Sequence, residues 1–392
     1  MSEEEWVEDI LDPDVYAVAL TKARRIVSSM RRAWEYLTPV YERLESSVRT
    51  SVSKLKEPSR AYDVIAIDST FSPTLSLRGL RAGFVLLAAI TYPKPRRPIF
   101  RLRPVRSGFD EEEEPSSLPS IVAKREELKM MRDILAEMSE FDVLVRDGDF
   151  PPADAIFELR RRAKLTDLSH EVMKLAKERE RGVVGLVKRI STSLIAYKFL
   201  GREFSEILDG APDGVPKPVV SDLLSDPVVG WLLLDPGEFI SVGKYGDDYA
   251  GSKFAVSYFS SMVKKEEYYA NRMNSVLERN PLFNEVEVGF YRPFARGSPV
   301  VKLTGFNLDL EDFASFSASC TKGPSYPDFI NLADTACIEH ARTLRPEMIM
   351  LDALKVASES EGLNKLRFRG RRADLVALQN VQKLHVFYRR EG

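Results

Sequence analysis

"YDVIAIDSTFSP" occupies residues 62–73, and its reading decides the fold. Val64, Ile65, Ala66 and Ile67 form an unbroken apolar run, as expected of a strand covered on both faces. The run ends in Asp68, with Ser69, Thr70 and then Pro73 behind it. Asp and Ser are ordinary turn residues, so a strand-end turn is one reading. The other is that a core strand holds a carboxylate in a fixed place for chemistry. A second stretch, "VLVRDGDFPP" (143–152), has the same grammar: an apolar run, then Asp147, then small residues, Phe and Pro. If the two strands are neighbours, both carboxylates leave the same edge of the sheet. Two fixed acids at close range persist by sharing a proton or by binding a divalent cation, and oxygen ligands suit Mg²⁺ or Mn²⁺.

The segments around these two strands follow an informative order. Strand-like runs at 62–68, about 82–92 and about 98–106 precede a helix over 117–138 and the strand at 141–147. This β-β-β-α-β order matches the core of the ribonuclease H-like fold. The expectation is therefore an α/β protein with a mixed five-stranded sheet flanked by helices, and with additional helical segments. Residues 14–56 read as helical, broken or kinked at Pro39. They set off an N-terminal helical extension (1–58) from a main domain over 59–392. Further elements are a charged helix over about 152–180, the segment "GVVGLVKRI" (182–190), a mixed region, and late strands at 284–294 and 299–306. The end reads as mostly helical, with a possible last strand at 383–389.

The intervening helix offers a third acid. From Glu127, helical steps of four, seven and eleven reach Met131, Ile134 and Met138, all apolar. From Glu126, steps of seven and eleven reach Asp133 and Glu137. Glu127 is thus expected on the face that packs on the sheet, and Glu126 towards water. A buried acid is costly unless paired or ligated. Pairing of Glu127 with Lys124 or Arg125 is the purely structural alternative.

Bulk composition sets the outer limits. The chain has 392 residues, 44% hydrophobic and 30% charged, with a formal net charge of −2. The longest apolar run, "GFVLLAAITY" (83–92), is too short to span a bilayer, so no membrane partner is expected. An acidic start, "MSEEEW", argues against an export signal, and two cysteines argue against a disulfide scaffold; a cytoplasmic protein is expected. The charge is unevenly distributed. "KPRRPIFRLRPVR" (94–106) and "KLRFRGRR" (365–372) are basic, while "DEEEEP" (110–115) is acidic. Arg101 and Arg103 in the first basic run are candidate phosphate contacts.

These residues together resemble the NurA nuclease family, over roughly residues 60–345 in ordered pieces. The Asp68 strand end, Glu127 and the "DGD" at 147–149 carry the resemblance. "GLVKRIS" (185–191) is similar to a Gly-x-x-Lys segment of that family, which points to Lys188. "YPDFINLADTACIEHA" (326–341) is similar to its Tyr-Pro motif, in which a His follows the Tyr eight residues later. Here Tyr326 is followed at that distance by Asp334. The departure adds negative charge and implies a stronger dependence on metal. His340, six residues further on, reads as an ordinary helix-face residue.

The resemblance implies a metal-dependent deoxyribonuclease with 5′→3′ exonuclease and single-strand endonuclease activity, resecting DNA ends for recombinational repair in archaea. Asp68, Glu127, Asp147 and Asp334 would hold one or two Mn²⁺ or Mg²⁺ ions. Tyr326 would contact the scissile phosphate or orient the nucleophile, and Lys188 would offset phosphate charge. Lys188 and Arg189, with Arg101 and Arg103, would contact DNA. A homodimer docked on the hexameric HerA helicase/translocase is the implied assembly. Two other classes compete. One is a catalytically inactive DNA-binding or helicase-adaptor protein on the same fold. The other is the actin-like kinase group, whose glycine-rich phosphate turn "DSTFSP" lacks.

Overall fold

The computed structural model describes residues 13–71, 75–77, 80–107, 119–159, 164–201, 203–247 and 266–345. Among the described residues, ten strands form one sheet: β1 (Val52–Lys54), β2 (Val64–Phe71), β3 (Leu75–Leu77), β4 (Leu80–Tyr92), β5 (Ile99–Ser107), β6 (Val143–Asp147), β7 (Gly182–Val187), β8 (Glu238–Lys244), β9 (Glu287–Arg292) and β10 (Val301–Phe306). The helices are α1 (Pro13–Arg49), α2 (Pro119–Glu137), α3 (Leu165–Glu178), α4 (Leu194–Leu200), α5 (Glu203–Asp209), α6 (Lys217–Leu223), α7 (Asp226–Leu233), α8 (Glu266–Arg279), α9 (Leu310–Ser319) and α10 (Asp328–Leu344).

The order across the sheet is β1-β8-β9-β10-β7-β6-β2-β4-β3, with β5 also paired to β4. Within it, β5-β4-β2-β6-β7 is the ribonuclease H-like core expected from the sequence. β4 runs antiparallel to both β2 and β5, while β2, β6 and β7 are mutually parallel. The expected five strands are thus the centre of a larger sheet, which β10, β9, β8 and β1 extend on the β7 side.

Register explains the unbroken apolar runs. In β2, Ile65 and Ile67 face the core shared with α1, α2 and α3, whereas Val64 and Ala66 face the core shared with α9 and α10. Strands buried on both faces have no room for polar alternation. The same alternation divides β6, with Leu144 on the first face and Val143 and Val145 on the second.

Several sequence expectations need correction. Helix α1 runs without interruption from Pro13 to Arg49 with Pro39 inside it. Around the proline, Leu37, Val40, Tyr41, Leu44 and Val48 are buried in the main core, and that packing holds the helix through a residue that lacks an amide donor. The expected helix over 152–180 is instead a single turn at Ala153–Ile156 and then α3, which starts after Lys164 at φ 54°. Residues 52–54, read as helical, pair with β8 as a strand. The possible strand at 383–389 and the charged runs at 110–115 and 365–372 lie outside the described residues. No described helix is long and apolar enough to cross a membrane.

Candidate active site

Parallel pairing places Ala66 beside Val145 and Ile67 beside Arg146. Asp68 and Asp147 are the next positions in that register, on the face shared with α10. The apolar residues below them fix both carboxylates where the β2–β6 pairing ends; β6 stops at Asp147, whereas β2, expected to end at Asp68, runs on to Phe71 beside β4. Asp68 is only 9% exposed. Burial, and after it the charges of Asp147 and Glu127, push its carboxyl well above the usual carboxylate range, against the opposing pull of Lys188. Burial also raises Asp147, although Lys188 opposes it with its Nζ 2.6 Å from Asp147 Oδ2.

Lys188 follows β7 directly and joins the sheet to α10. Its ammonium is 2.6 Å from Asp147 and 3.6 Å from Oδ2 of Asp334 on α10. Burial alone would lower its pKa, but the charges of Asp147, Asp334 and Asp68 outweigh that and raise it. The Tyr326 hydroxyl donates to the Lys188 carbonyl at 2.9 Å, and the Asn331 amide donates to the Tyr326 carbonyl at 2.8 Å. The tyrosine thus clamps the backbone that carries the lysine. Arg189 is exposed beside it.

Glu127 reaches the cluster from α2, on the opposite face of the sheet, and is buried as its helical spacing predicts. Its partners are neither Lys124 nor Arg125, which pair with Asp154 and Glu126. Arg146, 4% exposed, holds one Glu127 oxygen through Nε at 2.7 Å and Nη2 at 2.5 Å. The Ser69 hydroxyl donates to the other oxygen.

The expectation that Glu126 faces water is incorrect. Glu126 is 5% exposed and sits among Lys129, Arg103 and Arg125. Burial alone would raise its pKa, but these cations overcome it and hold the carboxyl below the usual range. Edge strand β5 supplies the partner that one helix's periodicity cannot show. Arg103 therefore stands 3.1 Å from Glu126, and Arg101 stands 2.6 Å from Asp133. Both engage acids of α2 rather than the Asp68–Asp147 pair. His340 is not a bare helix-face residue, since its ring stacks on Phe100 at 3.7 Å between centroids.

Sequence reasoning missed the parts that hold the β6–β7 edge in place. Lys302 of β10, 1% exposed, pairs with Asp149 at 2.6 Å. The Phe150 amide donates to Thr304 Oγ1 at 2.8 Å, and Arg146 Nη1 donates to the Asp149 carbonyl at 2.6 Å. Gly185 admits this loop, because a Cβ there would lie 2.2 Å from the Phe150 nitrogen. The Cys337 thiol donates to the Asp68 carbonyl at 3.2 Å, and burial raises its pKa, so it acts as a packed donor. The available signal was a cation inside an apolar run: Arg146 in "VLVRD" and Lys302 in "VVKLTGF" each require a buried acid partner.

Among the described residues, no group of three or more His, Cys, Asp or Glu side chains is gathered in metal-holding geometry. The structure instead brings together Asp68 and Asp147, with Lys188 joining Asp147 to Asp334 and Arg146 joining Glu127 to the loop. The donor chemistry fits a hard divalent cation, since all four acids offer oxygen. Two cations, Lys188 and Arg146, stand against these four acids, and Asp68 is raised first by burial and then by the neighbouring acids.

No protein-family profile matches the chain, and no curated protein matches it in sequence. Among solved structures, it is similar to the NurA nuclease from Sulfolobus solfataricus, with a TM-score of 0.52 and 12% identity over 89% of this chain and 98% of that one. A NurA structure bound to dAMP and manganese matches at a TM-score of 0.37 and 11% identity, over 83% of this chain and 93% of that one. Ciona intestinalis Endonuclease V, in complex with a 24mer DNA, matches at 0.36 and 13% identity, over 79% and 99%. Sheet order, parallel strand pairing and the Sulfolobus match agree: the chain has the ribonuclease H-like fold of the NurA nucleases.

Proposed function

We propose that this chain is a divalent-metal-dependent deoxyribonuclease of the NurA type. The observation that carries this reading is the Asp68–Asp147 pair on adjacent parallel strands, just where the β2–β6 pairing ends, with Lys188 fixed 2.6 Å from Asp147. When bound, Mn²⁺ or Mg²⁺ supplies water activation and leaving-oxygen stabilisation at such a carboxylate pair. Asp68 and Asp147 would hold the ion from the sheet, and Glu127 of α2 and Asp334 of α10 would add oxygen ligands from the two helices. Lys188 presents a preorganised cation to the non-bridging phosphate oxygens, where negative charge develops. Tyr326 positions that cation through its backbone and leaves its ring beside the site. The finer reading adds 5′→3′ resection of DNA ends and docking of a homodimer on a HerA ring. It also gives the N-terminal extension (1–58) a contact role in that assembly.

A cleavage assay on 5′-labelled single- and double-stranded DNA tests this, with Mn²⁺ against EDTA and with Asp68→Asn and Asp147→Asn as controls. Products in Mn²⁺ from the wild type alone are the expected result. A second reading, a non-catalytic DNA-binding adaptor, is favoured by the ion pairs that already engage Glu127 and Asp147. DNA binding by the wild type without cleavage in Mn²⁺ or Mg²⁺ would select it.

A further inference from the structure

The sheet edge that carries the acids continues beyond them. β10 runs antiparallel to β7, and β9 antiparallel to β10, so β9 ends at the same edge as β7. Two strand spacings, about 10 Å, separate them. Past the end of β9 lies Phe294, 49% exposed, and Trp231 of α7, 54% exposed, is tied to the same strand end through Arg292.

Neither ring is loosely held. Arg292, only 9% exposed, donates through Nη1 to the carbonyls of Trp231 and Leu234 at 3.1 and 2.9 Å. Its guanidinium carbon lies 5.3 Å from the Trp231 ring centroid. The Phe294 ring lies against Gly237, where a Cβ would fall 2.8 Å from it. Each ring is thus backed by protein and half open to solvent. A chain of contacts links them to the acid cluster. Arg292 Nε donates to the Ser298 carbonyl at 3.4 Å, and the Ser298 hydroxyl donates to the Gly323 carbonyl at 3.2 Å. The Gly323 loop leads into Tyr326, whose hydroxyl reaches Lys188. Arg189, Arg296 and Lys322 are exposed along this path.

We propose that Trp231 and Phe294 form a stacking platform for the unpaired bases of a nucleic-acid strand whose backbone is held at the acid cluster. This rests on the nuclease reading of that cluster. Every base offers a π-face, so two backed rings bind a strand without regard to sequence. A cation over one ring face strengthens such a site. The spacing of about 10 Å or more from β7 corresponds to three or more stacked nucleotides at about 3.4 Å each. Arg189 and Arg296 flank the path as exposed cations for phosphate contact, while Lys322 pairs with Asp328 at 2.8 Å and exposed Asp235 adds one acid.

The test is fluorescence anisotropy of 5′-labelled dT20 in EDTA, against the wild type, Trp231→Ala and Phe294→Ala, with an abasic strand of equal length beside it. Each variant is expected to weaken dT20 binding about 5- to 100-fold. Binding of the abasic strand should match that of the wild type. Equal dT20 affinity in all three proteins overturns the platform, as does a wild type that binds no strand. An equal loss on dT20 and abasic strands also overturns it, assigning the rings to packing or to a protein partner. Cleavage of the strand by the wild type in Mn²⁺ is scored separately. Ring-dependent binding without cleavage keeps the platform and defeats the nuclease reading, and cleavage without ring dependence does the reverse.

Discussion

Arg146 grips Glu127 across the sheet edge, with Nε and Nη2 at 2.7 and 2.5 Å from a single carboxylate oxygen. Both side chains are 5% exposed, so neither charge has water to replace a lost partner. Removing one member of a buried pair leaves an uncompensated charge and costs about 3–5 kcal/mol. Glu127→Gln and Arg146→Met should each show that loss in urea unfolding. The double variant should recover a good part of it. Additive losses would mean that the pair is not energetically coupled.

Asp68→Asn removes a carboxylate that its surroundings disfavour in the charged form. In EDTA near neutral pH, this variant should melt no lower than the wild type. Addition of Mn²⁺ should raise the wild-type melting temperature, with about 2.7 kcal/mol of stabilisation at 100 times the dissociation constant. In Asp68→Asn that increase should be largely lost. Differential scanning fluorimetry across a Mn²⁺ series reads both effects.

Tyr326→Phe deletes the hydroxyl that donates to the Lys188 carbonyl. One such hydrogen bond contributes about 1 kcal/mol net, so the fold should survive with that loss in chemical denaturation. If the tyrosine acts by positioning Lys188, kcat should fall while KM holds. Lys188→Met should fall further. A kcat in Tyr326→Phe equal to that of the wild type would show that the clamp has no catalytic consequence.

Gly185→Ala places a methyl group 2.2 Å from the Phe150 nitrogen and 2.5 Å from Thr304 Oγ1. Overpacking of this kind costs about 1–3 kcal/mol. Because the displaced loop begins at Asp147, metal-dependent cleavage should drop more than the melting temperature alone would explain. Activity measured well below the variant's melting temperature separates the two effects.

Acid sensitivity should have one traceable source in Asp312. Burial alone would raise its pKa, but hydrogen bonds from the Tyr62 hydroxyl and from Ser59 outweigh that and hold it below the usual range. A depressed carboxylate stabilises the fold above its unfolded-state pKa of about 4, and that contribution fades as pH falls through the lower folded value. Asp312→Asn should therefore be less stable than the wild type at pH 7, and the gap should close towards pH 2. Urea midpoints at a series of pH values measure it.

The sequence by itself determined the apolar runs of the central strands and the acids that follow them, although β2 continues past Asp68 to Phe71. Val64–Ile67 and Val143–Val145 are buried on both faces, so neither strand tolerates polar alternation, and the punctuating Asp68 and Asp147 stand out. Helical spacing likewise placed Glu127 on the buried face of α2, because three and four residue steps define a helix face locally. Only the tertiary structure decided what those acids meet. Arg146 pairs with a glutamate 19 residues away, Lys302 with Asp149, and Arg103 with Glu126, and each partner arrives from a different strand or helix. Charge pairing inside a core depends on which elements the sheet order makes neighbours. That order, with β10 and β9 extending the edge beyond β7, is fixed by long-range hydrogen bonding and packing that no local pattern records.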